Sequence, residues 1–512
     1  MLGKSIVARF VLLLCITALV LVGCSNNAGN SAVKAPSKSS TDTPATKEDT
    51  APFKISFMSQ SILAEPPKEK DPIIMAIEKH TNTDLDIQWI PDSSFKEKVN
   101  ASIASGDLPM VLQVNDKPEL IVSAAREGQF WEVGPYLKDY PNLEKAMNPN
   151  VIKSLLIDGK LYSLLRSRSL VGDGLIWRQD WMDNLGIKTP TTMDEVYEMV
   201  KAFTFDDPDG NGKDDTIGMT EEKSIRGYKF VMAQMGGANQ WEDIDGKLVP
   251  AEFSQAHIDT LNWYKRMFDE GLLNKDFAVT ERTQNIDFIN KGLYGFRMGD
   301  NDFIVRHTEL FKITPSAVLA TTSKIDGVNG NKVLMDNGFS GHFMIPKQSV
   351  KTEEDLKKIL AYFDKLSEPA GQDIFQWGVE GLHYDLVDGK PKRTDAQSDK
   401  YSKEVIAIQQ ALQVSDGSLA MDGELDENVK KYKDAKAEMS DNLVLNPAAS
   451  YISDTFVLNS SELKKIILDG NVKYIMGKIG DYQPILDSWL AAGGDKVIEE
   501  MNEAYKNDPA RK

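Results

Sequence analysis

Apolar residues fall into three successive regimes along this chain. Residues 10–22 form a continuous apolar run behind Lys4 and Arg9, residues 25–50 carry almost none, and from residue 53 onward apolar positions recur with strand and helix periods. Segment 53–58 (FKISFM) reads as a first strand, 72–79 as a helix, 84–90 as a second strand, 94–105 as a helix and 110–114 as a third strand. Further on, Thr192 followed by Glu195 is a capping box that opens an amphipathic helix over 196–203. An apolar segment at 339–346 (FSGHFMIP) enters another helix at 353–366. Alternation of this kind predicts an α/β fold with largely parallel sheets. About 460 residues follow residue 50, more than one hydrophobic core serves, so two α/β lobes are expected.

The run at 10–22 is too short to stay in a bilayer as a spanning helix. It ends Leu21-Val22-Gly23-Cys24, which resembles the bacterial lipobox, with a cysteine where a diacylglyceryl thioether forms. Residues 1–23 are therefore expected to be a lipoprotein signal peptide. Residues 24–52 would be the lipidated Cys24 with a disordered tether of Ser, Thr, Pro, Asn, Ala and Lys, too poor in apolar surface to fold. The expected place is the extracytoplasmic face of the cell membrane, held by lipid alone. The two cysteines, Cys15 and Cys24, leave no thiol for a disulfide, a thiolate metal site or a nucleophile. A net charge of -18 argues against nucleic acid and anionic lipid surfaces as partners, since both need a basic footprint, though it leaves room for local basic pockets.

Asp207, Asp209, Asn211, Lys213 and Asp215 stand at every second position, with Gly212 after Asn211, the spacing by which a tight loop turns oxygens onto one calcium ion. Asp207, Asp209, Asn211 and Asp215 would give side-chain oxygens and Lys213 its carbonyl. The twelfth loop position is Gly218 rather than Glu, so this is no EF-hand, and an acidic turn without a metal stays open as the alternative. The ion would be structural.

The surrounding stretch, WRQDWMDNLGIKTPTTMDEVYEMVKAFTFDDPDGNGKDDTIGM from Trp177 to Met219, resembles the extracellular solute-binding family 1 of ABC importers, in its calcium-loop branch related to alginate- and oligosaccharide-binding proteins. Ser105-Gly106-Asp107-Leu108-Pro109 is similar to that family's SGDLPD motif, with Met110 in place of the second acid. Gly378 to Val387 (GVEGLHYDLV) is similar to its Gly-x-Glu-Gly-x-x-Tyr pattern. The resemblance implies a periplasmic-binding-protein-like fold, with two α/β lobes joined by a two- or three-crossing hinge and a ligand cleft between them. Crossings are expected at 159–178, at 339–346 and at 378–387. One lobe would then combine 53–165 with 345–385, and the other 166–344 with 386–512. It also implies an oligosaccharide ligand and membrane permease subunits as partners, whose ATPases power import; a monomer is expected.

Sugar sites need flat aromatic faces and polar groups that meet hydroxyls. Trp177, Trp241 and Trp377 stand near expected crossings or in Gly-rich loops and are the candidates, whereas Trp89, Trp263 and Trp489 lie in core-like patterns. By resemblance Asn115 or Asp116 contacts sugar after the third strand, and Asp300 faces the cleft from Gly299-Asp300-Asn301-Asp302-Phe303, unless it caps a helix. Glu380, His383 and Tyr384 are candidates at the third crossing, where Glu380 can instead brace the hinge. Arg166, Arg168 and Arg178 either pair with uronate carboxylates or make ion pairs within the protein. An enzyme, such as a surface glycosidase or polysaccharide lyase, and a peptide-binding or sensor lipoprotein are the alternatives. No HExxH pair and no phosphate-cradling GxxxxGK[ST] occurs, and Gly338-Phe339-Ser340-Gly341-His342 lacks the last glycine of a nucleophile elbow.

Overall fold

The computed structural model describes residues 51–61, 66–68, 70–300, 304–305 and 307–508. The signal segment, Cys24 and the tether up to residue 50 lie outside the described residues, as do Asn301, Asp302 and Phe303. The described residues belong to one compact unit, Ala51–Lys512.

Two sheets organise it. The first runs in the order Thr83–Pro91, Phe53–Ser61, Val111–Val114, Phe339–Met344, Ser163–Ser167, and the second in the order Leu319–Thr322, Asp173–Arg178, Tyr294–Asp300, Ile217–Met219. Strand alternation sends successive side chains to opposite faces. Phe57 and Phe343 join one core with Ile73, Ile359 and Phe363, while Met58 and Met344 join another with Phe95, Ile103 and Ile121. In the second sheet Leu175 and Trp177 face a core containing Trp181, Phe203 and Tyr264, and Ile176 faces the opposite one with Leu310 and Leu319. Each sheet is thus covered on both faces, which explains the dense apolar strands.

The sheets are mixed rather than largely parallel. Phe53–Ser61 pairs in parallel with both its neighbours, but Phe339–Met344 enters antiparallel to Val111–Val114 and to Ser163–Ser167. Its entry is bulged between Phe339 and His342, where Gly341 takes φ +88°. A Cβ there would lie 2.9 Å from both the Val114 carbonyl and Asn115 Oδ1, so only glycine lets this strand come so close.

The chain passes from the first sheet to the second between Ser167 and Asp173, and returns between Thr322 and Phe339. A third passage comes later than the sequence suggests. Helices Asp395–Glu404 and Ile406–Leu412 stay with the first sheet, because Val405, Ile408, Leu412 and Val414 complete its core. Only after Val414 does the chain move to the second sheet, where helix Glu427–Ala437 brings Tyr432 against the Leu310 and Leu319 core. Residues 395–414 therefore do not join the second lobe, and the segment 378–387 is not a crossing. It forms a turn and hairpin held on the first lobe.

Candidate functional site

A cavity of about 1150 Å³ opens between the two sheets. One wall is the carboxyl end of the Val111–Val114 strand with Asn115, Asp116 and Lys117, together with Phe95, Lys96 and Asn100 of helix Asp92–Ser105. The facing wall comes from Arg226, Tyr228, Lys229, Trp241 and Glu252, and the late helix Asp454–Ile475 with Tyr451 and Phe456 closes one side. Clefts outside the carboxyl ends of strands, between lobes, are where α/β proteins take ligands.

Asn115 is held in place from below. Gln113, fully buried, accepts from Ser59 Oγ (2.6 Å) and the Gln60 amide (3.1 Å) and donates to Asn115 Oδ1 (3.0 Å). Asn115 Nδ2 in turn donates to Gln60 Oε1 at 2.9 Å. Asn115 and Asp116 are exposed at the cleft wall.

Trp241 also reaches the cleft, and the last helix explains how. Strand Trp241–Ile244 pairs with Lys247–Pro250, and Asn502 extends that hairpin by accepting from the Leu248 amide and donating to the Leu248 carbonyl, each at 2.8 Å. Tyr505 hydrogen-bonds Asp243 from the same helix. At the other end Asn239 donates to the carbonyls of Met335 (2.8 Å) and Val444 (3.0 Å), fixing the approach to Trp241.

The other candidates are structural. Trp177 packs in the second core beside Trp181 and Phe203, its Nε1 donating to Gln179 Oε1 at 2.9 Å. Arg178 is buried and forks onto Asp180 (2.8 and 2.5 Å) with its guanidinium over Trp181. Trp377 is buried, donating to the Met421 carbonyl, with Arg393 over its face. His383 accepts from the Val379 amide at Nδ1 and meets Glu404 at Nε2 (3.1 Å), Tyr384 lies against Trp377, and Glu380 bridges to Tyr384 in the same turn. These four residues brace the turn after helix Pro369–Gln376, away from the cavity. Nearness in sequence to a supposed crossing misplaced them, since it says nothing of which face a side chain takes.

Asp300 does not line the cavity but holds a residue that does. It pairs with Arg226, a cleft residue, and with Arg282. Burial pushes its carboxyl up, yet Arg226, Arg282 and Arg297 outweigh that and hold it below the ordinary value. Lys229, the next cleft cation, pairs with Asp336 in the return passage. Beside them the Asp173 carboxyl is pushed up to about 7 by burial and by Asp336, against Lys229 and Arg226. Its folded value lies above the unfolded one, so the stability it contributes is full at low pH and is lost as pH rises to about 7. Asp173→Asn is therefore expected to raise the melting temperature at pH 8, with the gain fading toward about pH 4, in calorimetric scans across pH.

Arg166 and Arg168 lie behind Asn115 rather than in the cavity, both donating to the Gln410 carbonyl. Tyr451, Phe456 and Lys117 were not singled out by sequence reasoning. An aromatic pair flanking the Asp454–Ile475 helix start, in a Ser- and Ala-rich stretch, is the signal that was there for the first two.

The loop at 207–215 folds about Asn211. Asp207 Oδ2 accepts from the Gly212 amide (3.0 Å), and Asn211 Nδ2 donates to Asp209 Oδ2 (2.8 Å) and Asp215 Oδ1 (3.1 Å). Among the described residues no group of three or more His, Cys, Asp or Glu is gathered tightly enough to hold a metal. The donors are nonetheless all oxygens on one small loop, the chemistry a hard cation takes.

Residues 62–373 match the family described as bacterial extracellular solute-binding protein. The chain belongs to that family. The polygalacturonan/rhamnogalacturonan-binding protein YtcQ of Bacillus subtilis (strain 168) is 36% identical over 507 residues, covering 97% of this chain and 98% of that protein. Lipoprotein LipO of the same organism is 32% identical over 508 residues, covering 96% and 97%. Among solved structures, the alginate-binding protein AlgQ2 without calcium ion superposes with a TM-score of 0.66 at 17% identity, covering 89% of this chain and 98% of that one. This solute-binding protein thus has the expected two-lobed α/β fold, and its role is to bind a solute. No described helix is long and apolar enough to cross a membrane.

Proposed function

We propose that this protein is the lipid-anchored, extracytoplasmic substrate-binding component of an ABC importer, taking an oligosaccharide in the inter-lobe cavity and delivering it to a membrane permease. The observation that carries the reading is the cavity itself, whose lining combines Trp241, Tyr451 and Phe456 with Asn115 and Asp116. Aromatic faces cover the C–H surface of a pyranose while amides and carboxylates meet its hydroxyls. Ligand contacts on both lobes favour the closed state by differential affinity. LipO's name as a lipoprotein supports lipidation at Cys24.

The test is thermal stabilisation of residues 51–512 across neutral and uronic oligosaccharides, with amino acids and peptides as controls. A sugar at 100 times its Kd stabilises by about 2.7 kcal/mol. A shift with one sugar class, and the sugar recovered unchanged, supports a binding protein rather than an enzyme. A shift with peptides alone overturns the sugar reading.

Calcium on Asp207, Asp209, Asn211, Asp215 and the Lys213 carbonyl is part of the same proposal. Ions that bind only the native state raise its melting temperature. Calcium is expected to do so here, chelation to reverse it, and Asp209→Ala to abolish the response without removing sugar binding, as read by calorimetry with and without calcium.

A further inference from the structure

The cleft carries more cations than a chain so acidic would lead one to expect. Lys96, Lys117, Arg226, Lys229 and Lys464 line it, against Asp92, Asp116 and Glu252. Arg226 and Lys229 are neutralised by Asp300 and Asp336, on the wall facing Asn115. Lys117 is different. Its ammonium donates to the Leu156 carbonyl at 3.1 Å, and no ion pair to a carboxylate is formed among the described residues. Burial alone pushes its pKa down to about 8. Immediately behind it His342 meets the Asp116 carbonyl at 3.3 Å, and its own proton affinity is lowered by burial and further by Lys117 and Arg166. Arg166 is buried with Nε and Nη1 unpartnered, and neither it nor Arg168 is held by an acid among the described residues.

The Lys117 ammonium therefore stands at one end of the cavity with Arg166 and Arg168 behind it, and no ion pair among the described residues holds any of the three. Buried charge left unpaired is costly, and no described carboxylate forms an ion pair that offsets it. We propose that this end of the cleft is a carboxylate subsite, in which the Lys117 ammonium pairs with a uronate carboxylate of the bound chain while Arg166 and Arg168 keep the local potential positive. The inference rests on the oligosaccharide reading and narrows it to acidic sugars. Asn115 and Asp116, exposed beside Lys117, are placed to meet hydroxyls of the same residue.

Isothermal titration of trigalacturonate and of its neutral methyl ester, on the protein and on Lys117→Met, tests it. The protein is expected to bind the acid at least about tenfold more tightly than the ester, a ratio typical of one desolvated charge pair. Lys117→Met should abolish most of that preference, bringing the affinities for acid and ester within a few-fold of each other. Equal affinity for acid and ester, or an acid preference that survives Lys117→Met, would overturn the subsite and leave the oligosaccharide reading standing. Failure of the protein to bind these or any neutral oligosaccharide would overturn both. Should the variant not fold, salt decides on the unaltered protein. Acid binding that weakens with added salt while ester binding does not supports the subsite, and identical salt responses overturn it.

Discussion

Trp377→Ala is expected to lower stability by about 3–5 kcal/mol, the usual range for emptying a large aromatic site in a core. The ring is 1% exposed and donates to the Met421 carbonyl at 2.9 Å. A Cβ on Gly423 would lie 2.5 Å from it, so the surroundings are already in close contact. Arg393 lies 4.5 Å above its face and would lose that contact too. Since the residue is remote from the cavity, sugar affinity should be unchanged in whatever fraction remains folded. Denaturant unfolding followed by titration separates the two effects. A variant of normal stability and weakened sugar binding would return Trp377 to the cleft, where its sequence context first suggested it.

Removing the Asp300 carboxylate should have the next largest effect. Asp300→Ala leaves Arg226 and Arg282 without their shared partner, while the Arg297 side chain stays buried nearby. Breaking a fully buried pair costs more, but the two guanidinium groups are partly in water, so about 2 kcal/mol is the expected loss. Its carboxyl is held below the ordinary value, so this stabilisation is present above the unfolded pKa and is lost as pH falls through the folded one. The deficit of Asp300→Ala should therefore be full at pH 7 and shrink below about pH 4. Urea midpoints across that range measure it, and a deficit independent of pH would contradict the ion-pair account.

Much of the fold is legible in the sequence because local signals and tertiary packing agree. The Thr192 and Glu195 capping box forms in both directions, and the helix it opens, Met193–Phe205, buries Val196, Val200 and Phe203. The first strands and helices fall within a few residues of their expected limits. What failed is knowledge of which parts of the chain meet. Helix Asp395–Glu404 is almost wholly polar and buries no residue, and the short apolar helix Ile406–Leu412 fits either sheet by pattern, so only the unfilled first core decides where they go. The cleft shows the same limit. Asn115 and Asp116 follow a strand end and line the cavity, whereas Trp177 and Trp241 look alike in sequence and differ in that one strand is central and the other belongs to a hairpin held by Asn502. Lys117 gives no signal at all, since an exposed and an uncompensated buried lysine are spelled the same way.

The placement of Phe339–Met344 governs the order in which the molecule can form. That strand lies between Val111–Val114 and Ser163–Ser167, so until residue 344 is available both flanking strands present unpaired edges. The amino-terminal third of the chain therefore cannot complete its own sheet ahead of the intervening second-sheet residues. Pairings so distant in sequence are reached slowly, because a long loop must close before its contacts reward it. A nascent chain of this design keeps its first sheet open until two thirds of its length is available, whereas the strands of the second sheet all precede residue 323.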